Sequence, residues 1–501
     1  MFSLEPHAVN IAGLALLLVL IIIGYVYRIL RDPVSRIPGP WFTRWTDMVA
    51  TYHMATGPHS SYIHSLHEKY AVPFSLKSAG PVVRVSPSEV SFSDMSAVKE
   101  IYTVKETYVK SEFYTRLTAP TNKNVFAVTN IDLHRRYRRL LSAAMSETSL
   151  KSMYPAIEAN VNLAIQRIGE ELQTRGAADV FKWWLFLATD IIGELSFGES
   201  FRMLEKKQKN QYIEDLESAG FVAAMRALFP TAMWVAKFLP LPWLRYASES
   251  TERTRLSAEE SIRRHERLEQ ADPTNVKPTL FSKMYKAEED EQLTFNEVVD
   301  NAVGYIIAGS DTSATTLTYL VWCVCKHPEV KAALLRELAT LPADGGYGDQ
   351  ELKQLPYLNA VIEETLRIHG AAPASLPRVV PRGGASLAGY WLNEGTTVSS
   401  QAYTLHRNPM TFPEPEKFDP SRWLAPTKAM KDAFFAFGGG SRICVGMHLS
   451  LMNIRLAVSK FFRRFPNVEI STLEGMSDED MEPHMTFLYG PKGRRCLVEA
   501  H

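Results

Sequence analysis

Phe437-Gly438-Gly439-Gly440-Ser441-Arg442-Ile443-Cys444-Val445-Gly446 places three consecutive glycines, an arginine and a cysteine within ten residues. Glycines in a row favour neither helix nor strand, and without Cβ atoms they let the backbone approach a neighbouring group closely. A helical pattern begins just after Cys444, which puts the thiol near a helix N-terminus. Free N–H groups and the positive helix end favour a thiolate there. No partner cysteine or histidine stands beside it. The pattern suits one soft ligand to a metal that another group holds, and an iron porphyrin (haem) needs such a ligand. A buried structural cysteine in a turn explains neither the glycines nor Arg442.

The chain around this loop has 501 residues, 46% hydrophobic and 22% charged. Those proportions are those of a globular protein and exclude a disordered chain, a collagen-like fibre or a multi-span membrane protein. Lys plus Arg and Asp plus Glu are equal at 55 each, so bulk charge gives no reason to expect nucleic-acid binding. The four cysteines, Cys323, Cys325, Cys444 and Cys496, make neither a disulfide framework nor the paired spacing of a zinc site. Cys323 and Cys325 read as core filler, and Cys496 has no argued role. His369, His406 and His448 share no ligand spacing and read as ordinary donors or caps.

Residues 8–27, AVNIAGLALLLVLIIIGYVY, carry one Asn and no charge. Twenty residues at about 1.5 Å each span a bilayer core. Tyr25 and Tyr27 sit at an interfacial belt, and Arg28, Arg31 and Arg36 follow. By the positive-inside rule the rest of the chain stays on the cytoplasmic side. A cleaved signal peptide would carry its positive charge before the apolar run, so residues 1–30 read as an uncleaved single-pass anchor. Residues 31–41, with Ile37-Pro38-Gly39-Pro40, read as a stiff joint. Residues 42–501 then form the catalytic body.

Within that body residues 42–110 mix short strands, such as Val82-Val83-Arg84-Val85, with helical pieces. Residues 131–340 are mainly helical in pattern. One helix is expected from Thr294 to Lys326: Thr294 and Glu297 form a capping box, and His327-Pro328 ends it. Its length and apolar content place it through the middle of the body. Residues 329–340, 352–369 and 446–465 read as further helices, and 371–403 as turns and short strands. The expected class is mainly α with a minor β portion (α+β). Residues 221–246, apolar and broken by Pro230, Pro240 and Pro242, read either as a lid dipping into the membrane surface or as a pair of core helices.

The loop matches FxxGxRxCxG at Phe437, Gly440, Arg442, Cys444 and Gly446. Glu364-Thr365-Leu366-Arg367 matches ExxR, Phe418-Asp419-Pro420-Ser421-Arg422-Trp423 resembles the aromatic-Pro-Arg segment, and Ala308-Gly309-Ser310-Asp311-Thr312 fits A/G-G-x-D/E-T. With these motifs in order, the whole chain resembles the cytochrome P450 family of haem-thiolate monooxygenases. The Pro-Gly-Pro joint and Phe-Asp-Pro-Ser-Arg-Trp segment are similar to fungal biosynthetic members.

The resemblance implies haem b held by Cys444 as axial iron ligand, within a loop bounded by Phe437 and Gly446. It implies Arg442, Arg138, Arg378 and His134 as partners of the haem propionates. Two carboxylates in an apolar pocket need such donors, and His134 and Arg138, four apart, share a helix face. His134 stands where the family commonly has Trp. Arg135, Arg136 and Arg139 read as surface solvation or as a docking site for an acidic redox partner.

Asp311 and Thr312 are implied as the proton relay to dioxygen. Gly309, Asp311 and Thr312 are all poor helix formers; the glycine alone costs roughly 1 kcal/mol, and the family's helix is distorted there. A Thr bonded back to its own helix is the plain alternative. Glu364, Arg367 and Arg422 are implied as a buried scaffold under the cysteine loop. Substrate lining is expected from Ala302, Tyr305 and Ile306, from Ala374-Ser375-Leu376 and from Met485 to Leu488.

There is no dinucleotide fingerprint, Walker lysine loop or HExxH. The chain thus carries no electron source of its own, and the resemblance implies electrons from NADPH through a separate cytochrome P450 reductase, with cytochrome b5 as an auxiliary partner. The implied setting is the endoplasmic reticulum membrane, with a hydrophobic small molecule as substrate. Two other classes compete: a haem-thiolate isomerase or dehydratase that needs no dioxygen, and a haem-binding sensor. Neither needs the Asp311-Thr312 pair.

Overall fold

The structure is a computed structural model that describes residues 6–70, 82–118, 122–236, 238–239, 241–272, 279–289, 293–343, 345–485 and 488–500. A long helix, Phe295–Lys326, forms its axis. Thr294 caps it: Glu297 N donates to Thr294 Oγ1 at 3.3 Å, and Thr294 N donates to Glu297 Oε2 at 2.8 Å. The reciprocal pair satisfies two amides that the first turn leaves orphaned. The helix ends at His327, before Pro328 opens the next helix, Pro328–Leu338. Val298, Val299, Ala302 and Ile306 are buried near its start, and Leu317, Leu320, Val321 and Val324 near its end. Helices Val180–Phe197, Met447–Arg464 and Pro356–His369 pack around it in one hydrophobic core. Val180–Phe197 is buried along nearly its whole length, as expected of a helix with no solvated face.

The mainly α reading with a minor β portion stands. A five-stranded sheet runs in the order Val82–Ser86, Glu89–Phe92, Thr397–Ser399, Arg378–Val379, Val109–Lys110. Glu89–Phe92 and Thr397–Ser399 are parallel, and the other pairs antiparallel. Lys110 lies opposite Arg378, so the two side chains share one face of the sheet.

One expected helix is divided. Residues 352–369 read as continuous, but the chain turns at Gln354-Leu355, and Pro356 starts a new helix, Pro356–His369. Proline lacks the N–H that a continuing helix needs and suits a first position instead.

The N-terminal helix spans Pro6–Arg31. Its stretch Gly13–Arg31 is long and apolar enough to cross a membrane and is almost wholly exposed. The joint after it is packed rather than loose. Val34 and Ile37 are buried, and the Arg84 guanidinium donates to the carbonyls of Ser35, Ile37 and Pro40 at 3.0, 2.7 and 3.1 Å. A buried arginine consumes free carbonyls in this way because its donors must all be satisfied. The residues after 33 thus pack onto the body.

The segment 221–246 is no pair of core helices. It forms the end of Gln211–Leu228, then Pro230–Ala236 and the start of Pro242–Ala271. Trp234, Phe238, Leu239, Trp243 and Tyr246 are exposed, around a small cluster of Met233 and Leu244. Lys237 and Pro240 lie outside the described residues.

Candidate active site

The cysteine loop turns back on itself. Cys444 N donates to Phe437 O at 2.9 Å, Gly438 N to Phe435 O at 3.0 Å and Ile443 N to Gly440 O at 3.2 Å. Two glycines are required by geometry. At Gly440, with φ +64°, a Cβ would lie 2.2 Å from Tyr102 O; at Gly439 it would lie 2.8 Å from the Phe435 ring. The turn starting at Tyr102 is thus pressed onto the loop, and no larger residue fits.

Gly446 is the N-cap of the helix Met447–Arg464, so Cys444 lies two residues outside it. Cys444 is exposed, yet the surrounding body desolvates it. Burial pushes its thiol above the ordinary cysteine range, against the Gly446 N–H and Arg138. In the free thiol, desolvation outweighs the helix end and free N–H groups on which the sequence reading relied. Metal binding is what would deprotonate such a thiol.

Beneath the loop stands the Glu364 network. Arg367 Nε and Nη2 donate to Oε2 and Oε1 of Glu364, both at 2.8 Å. Onto the same carboxylate converge Arg422 Nε at 3.0 Å, Trp423 Nε1 at 2.8 Å and Asp419 N at 2.9 Å. Both side chains of the Glu364–Arg367 pair are fully buried. A buried pair holds only when its remaining donors are used, and Arg367 Nη1 donates to His406 O and Pro415 O at 2.8 and 2.7 Å.

His406 links this network to the loop. Its Nδ1 is 2.8 Å from Arg367 O, and its Nε2 accepts from Phe435 N at 2.8 Å. Burial holds its pKa down to about 3, so the ring is neutral with its proton at Nδ1. His406 is thus the donor and cap that the sequence reading expected, being also the C-cap of helix Ala402–Leu405, and its second nitrogen adds this bridge. His369 instead stacks on Tyr319 at 4.4 Å and meets Tyr489 Oη at 2.6 Å, while His448 pairs with Glu147 at the surface.

Beside the loop lies a cluster of basic groups. Arg442, Lys110, Arg138 and Arg378 all act on His134 and, after burial, hold its pKa down to about 3. Lys110 is buried, donates to Phe126 O at 2.5 Å and lies over the Tyr114 ring at 4.0 Å. Burial, then Arg378 and Arg442, drive its ammonium well below the lysine range. Arg378 Nη1 donates to Tyr114 Oη and Pro377 O.

All four expected propionate donors have protein partners, Arg442 through Glu106 and Val128 O and Arg378 as just given. Arg138 Nη1 donates to Ile443 O, and His134 Nδ1 lies 3.0 Å from Glu106 Oε1, off the line of a hydrogen bond. Arg136 is partly solvated, and with Tyr137 Oη it also binds Glu297 Oε1, at 3.1 and 2.6 Å. Glu106 and Lys110 escaped the sequence reading, since neither stands in a recognisable spacing.

On the central helix, Ile307 is 40% exposed and Ala308 is exposed too, between the buried Ile306 and Ser310. Apolar residues open in the middle of a buried helix border an internal space. Tyr305 lies within electrostatic reach of Cys444 and Arg138, so that space and the thiol are neighbours. Thr312 Oγ1 donates to Ala308 O at 2.6 Å, the back-bonded arrangement of the plain alternative. Gly309 has a packing reason: a Cβ would lie 2.9 Å from Ile192 Cγ1. The helix continues unbroken through 308–312, where a distortion was expected. Ala302, Tyr305 and Ile306 are buried, as are Ala374 and Ser375. Thr486 and Phe487 lie outside the described residues.

The family model described as Cytochrome P450 matches residues 38–498. The chain belongs to the cytochrome P450 family. This P450 is 43% identical to cytochrome P450 monooxygenase tazI of Aspergillus terreus over 98% of this chain and 99% of that protein. It is also 43% identical to cytochrome P450 monooxygenase orf2 of Aspergillus niger, over 95% of each. The crystal structure of the cytochrome P450DA heme domain superposes with a TM-score of 0.75 at 18% identity, covering 93% of this chain and 98% of that one. The P450 is thus an enzyme of the haem-thiolate monooxygenase family, whose members bind haem b, draw electrons from redox partners and act on hydrophobic molecules. Its residues fit that cofactor. An accessible thiol stands beside four clustered cations, of which burial first and then the neighbouring Arg378 hold Lys110 well below the lysine range and Arg442 down to about 10, as a site made for anionic groups does.

Proposed function

We propose that this P450 inserts one oxygen atom of O2 into a hydrophobic secondary metabolite, with Cys444 as the iron ligand. The observation that carries this reading is Cys444 itself. Its thiol is accessible, and its N–H is held by Phe437 O within a loop that the Glu364–Arg367 network supports through His406. Haem, bound there, supplies activation of dioxygen.

The chain's residues do the rest. Arg442, Arg378, Arg138 and Lys110 receive the two propionates, and His134 is a neutral neighbour. Thr312 holds a proton at Oγ1, and Asp311 supplies the next one. Glu364, Arg367 and Arg422 keep the loop in place. Ile307, Ala308 and Ala374 offer an apolar wall that keeps water from the reacting centre.

Electrons come from a membrane-bound NADPH-cytochrome P450 reductase, with cytochrome b5 as auxiliary donor. The helix Pro6–Arg31 anchors the chain in the endoplasmic reticulum membrane with the body cytoplasmic, in keeping with Arg28, Arg31 and Arg36 after the apolar run. The exposed Trp234, Phe238 and Trp243 rest on the membrane surface.

The test is the full chain expressed with its reductase. We expect a red-shifted carbon-monoxide band in the reduced protein, consumption of NADPH and O2, and a product heavier by one oxygen atom. Cys444→Ser is expected to lose the band and the product. Turnover without O2 would point to the isomerase class, and full turnover by Cys444→Ser would remove the thiolate from the reading.

A further inference from the structure

The basic cluster beside the cysteine loop contains a buried carboxylate that no family motif accounts for. Glu106 is 5% exposed and has φ +54°, a backbone region that side-chain-bearing residues seldom occupy. The turn that carries it is seated against Gly440, in the space a Cβ there would fill. Glu106 Oε1 accepts from Ser441 Oγ at 2.7 Å and from Arg442 Nε at 2.8 Å. Arg442 Nη1 donates to Val128 O at 2.8 Å. Two of the three guanidinium nitrogens are thereby held, and Nη2 makes no hydrogen bond to the described residues. Glu106 Oε2 has no hydrogen-bond partner among the described residues, with Arg135 Nε 4.0 Å away. Electrostatically, Glu106 is the carboxylate that acts on Lys110, Arg138 and Arg442 alike.

We infer that Glu106 is a positioning residue of the haem site: it aims Arg442 at a propionate and supplies a fixed negative charge inside the cation cluster. The inference rests on the haem reading above. A guanidinium held at Nε and Nη1 loses its rotamer freedom before the cofactor arrives, and pre-ordering strengthens the bond made at the remaining edge. A fixed carboxylate close to the porphyrin also disfavours the extra electron of ferrous iron, because net charge around such a centre sets its potential.

The test compares holoenzyme of the wild type with E106Q, E106D and E106A. The readouts are the ferric/ferrous reduction potential and the rate of haem transfer to an apoprotein scavenger. Gln keeps the shape and still accepts from Ser441 and Arg442 but lacks the charge. We expect E106Q to have a more positive potential with haem loss within a few-fold of wild type. E106D is expected to return the potential towards wild type. E106A is expected to lose haem about tenfold faster or more, in the range found for partners of metal ligands. Should E106A fail to fold, E106Q and E106D still decide the matter. If wild type shows its red-shifted carbon-monoxide band and E106Q matches it in potential, the inference falls and the haem reading survives. If wild type takes up no haem at all, both fall.

Discussion

On the Glu364 carboxylate two arginines, an indole and a backbone N–H meet, and its own exposure is nil. Every one of those partners is a donor. Replacing Glu364 by Gln removes the charge and turns one oxygen into an NH2 that faces donors. The cost of breaking a buried pair is about 3–5 kcal/mol. We expect Glu364→Gln to lower the urea midpoint of the holoenzyme accordingly and to release haem. A loss within about 0.5 kcal/mol, typical of a surface substitution, would mean the network is not rigid. The pairing of Glu364 with Arg367 was legible in the sequence, since residues three apart share a helix face. The link through His406 was not. Its two partners, Arg367 O and Phe435 N, lie 39 and 29 positions away, beyond the reach of any local pattern.

Among the elements, the central helix shows what periodicity can and cannot tell. Its start at Thr294 and its end at His327 follow from local chemistry, a capping box and a following proline. Gly309 is different. The sequence reading takes it as part of a distorted turn, whereas the structure shows the close approach of Ile192 from helix Val180–Phe197. We expect Gly309→Ala to destabilise the protein by about 1–3 kcal/mol through overpacking, despite the better helix propensity of Ala. Trimming the neighbour in the double variant Gly309→Ala/Ile192→Ala is expected to recover part of that loss relative to the sum of the two single changes. Thermal midpoints of the four proteins give the coupling; strict additivity would remove Ile192 from the explanation.

Over the whole molecule, burial of neutral imidazoles sets the response to acid. His59 is held down to about 4, and His67, His134, His369 and His406 to about 3, with desolvation the first cause in each. In the unfolded chain these rings titrate near 6.5. Between about pH 3 and 6.5 the unfolded state therefore binds more protons, so stability rises with pH through that window and is lost as pH falls. Each ring contributes up to about 1.4 kcal/mol per pH unit. We expect the unfolding midpoint of the holoenzyme to drop steeply from pH 6.5 to pH 4, and a flat profile would contradict the burial of these rings in neutral form. The same scale explains the joint after the N-terminal helix. Pro38 and Pro40 do stiffen it, but Arg84, 40 or more positions away, binds its carbonyls and makes it part of the body.

The sequence by itself determined the cysteine loop, the pairing of Glu364 with Arg367, the capped central helix and the apolar N-terminal run. Each rests on residues within a few turns of one another, where spacing alone dictates who can meet. Only the tertiary structure decided that Glu106 holds Arg442, 336 positions away, that Lys110 joins Arg378 across a strand pair, and that desolvation raises rather than lowers the Cys444 thiol. Those outcomes depend on which surfaces pack together and how much water they exclude. Low dielectric and enforced proximity arise only once distant segments are brought into contact.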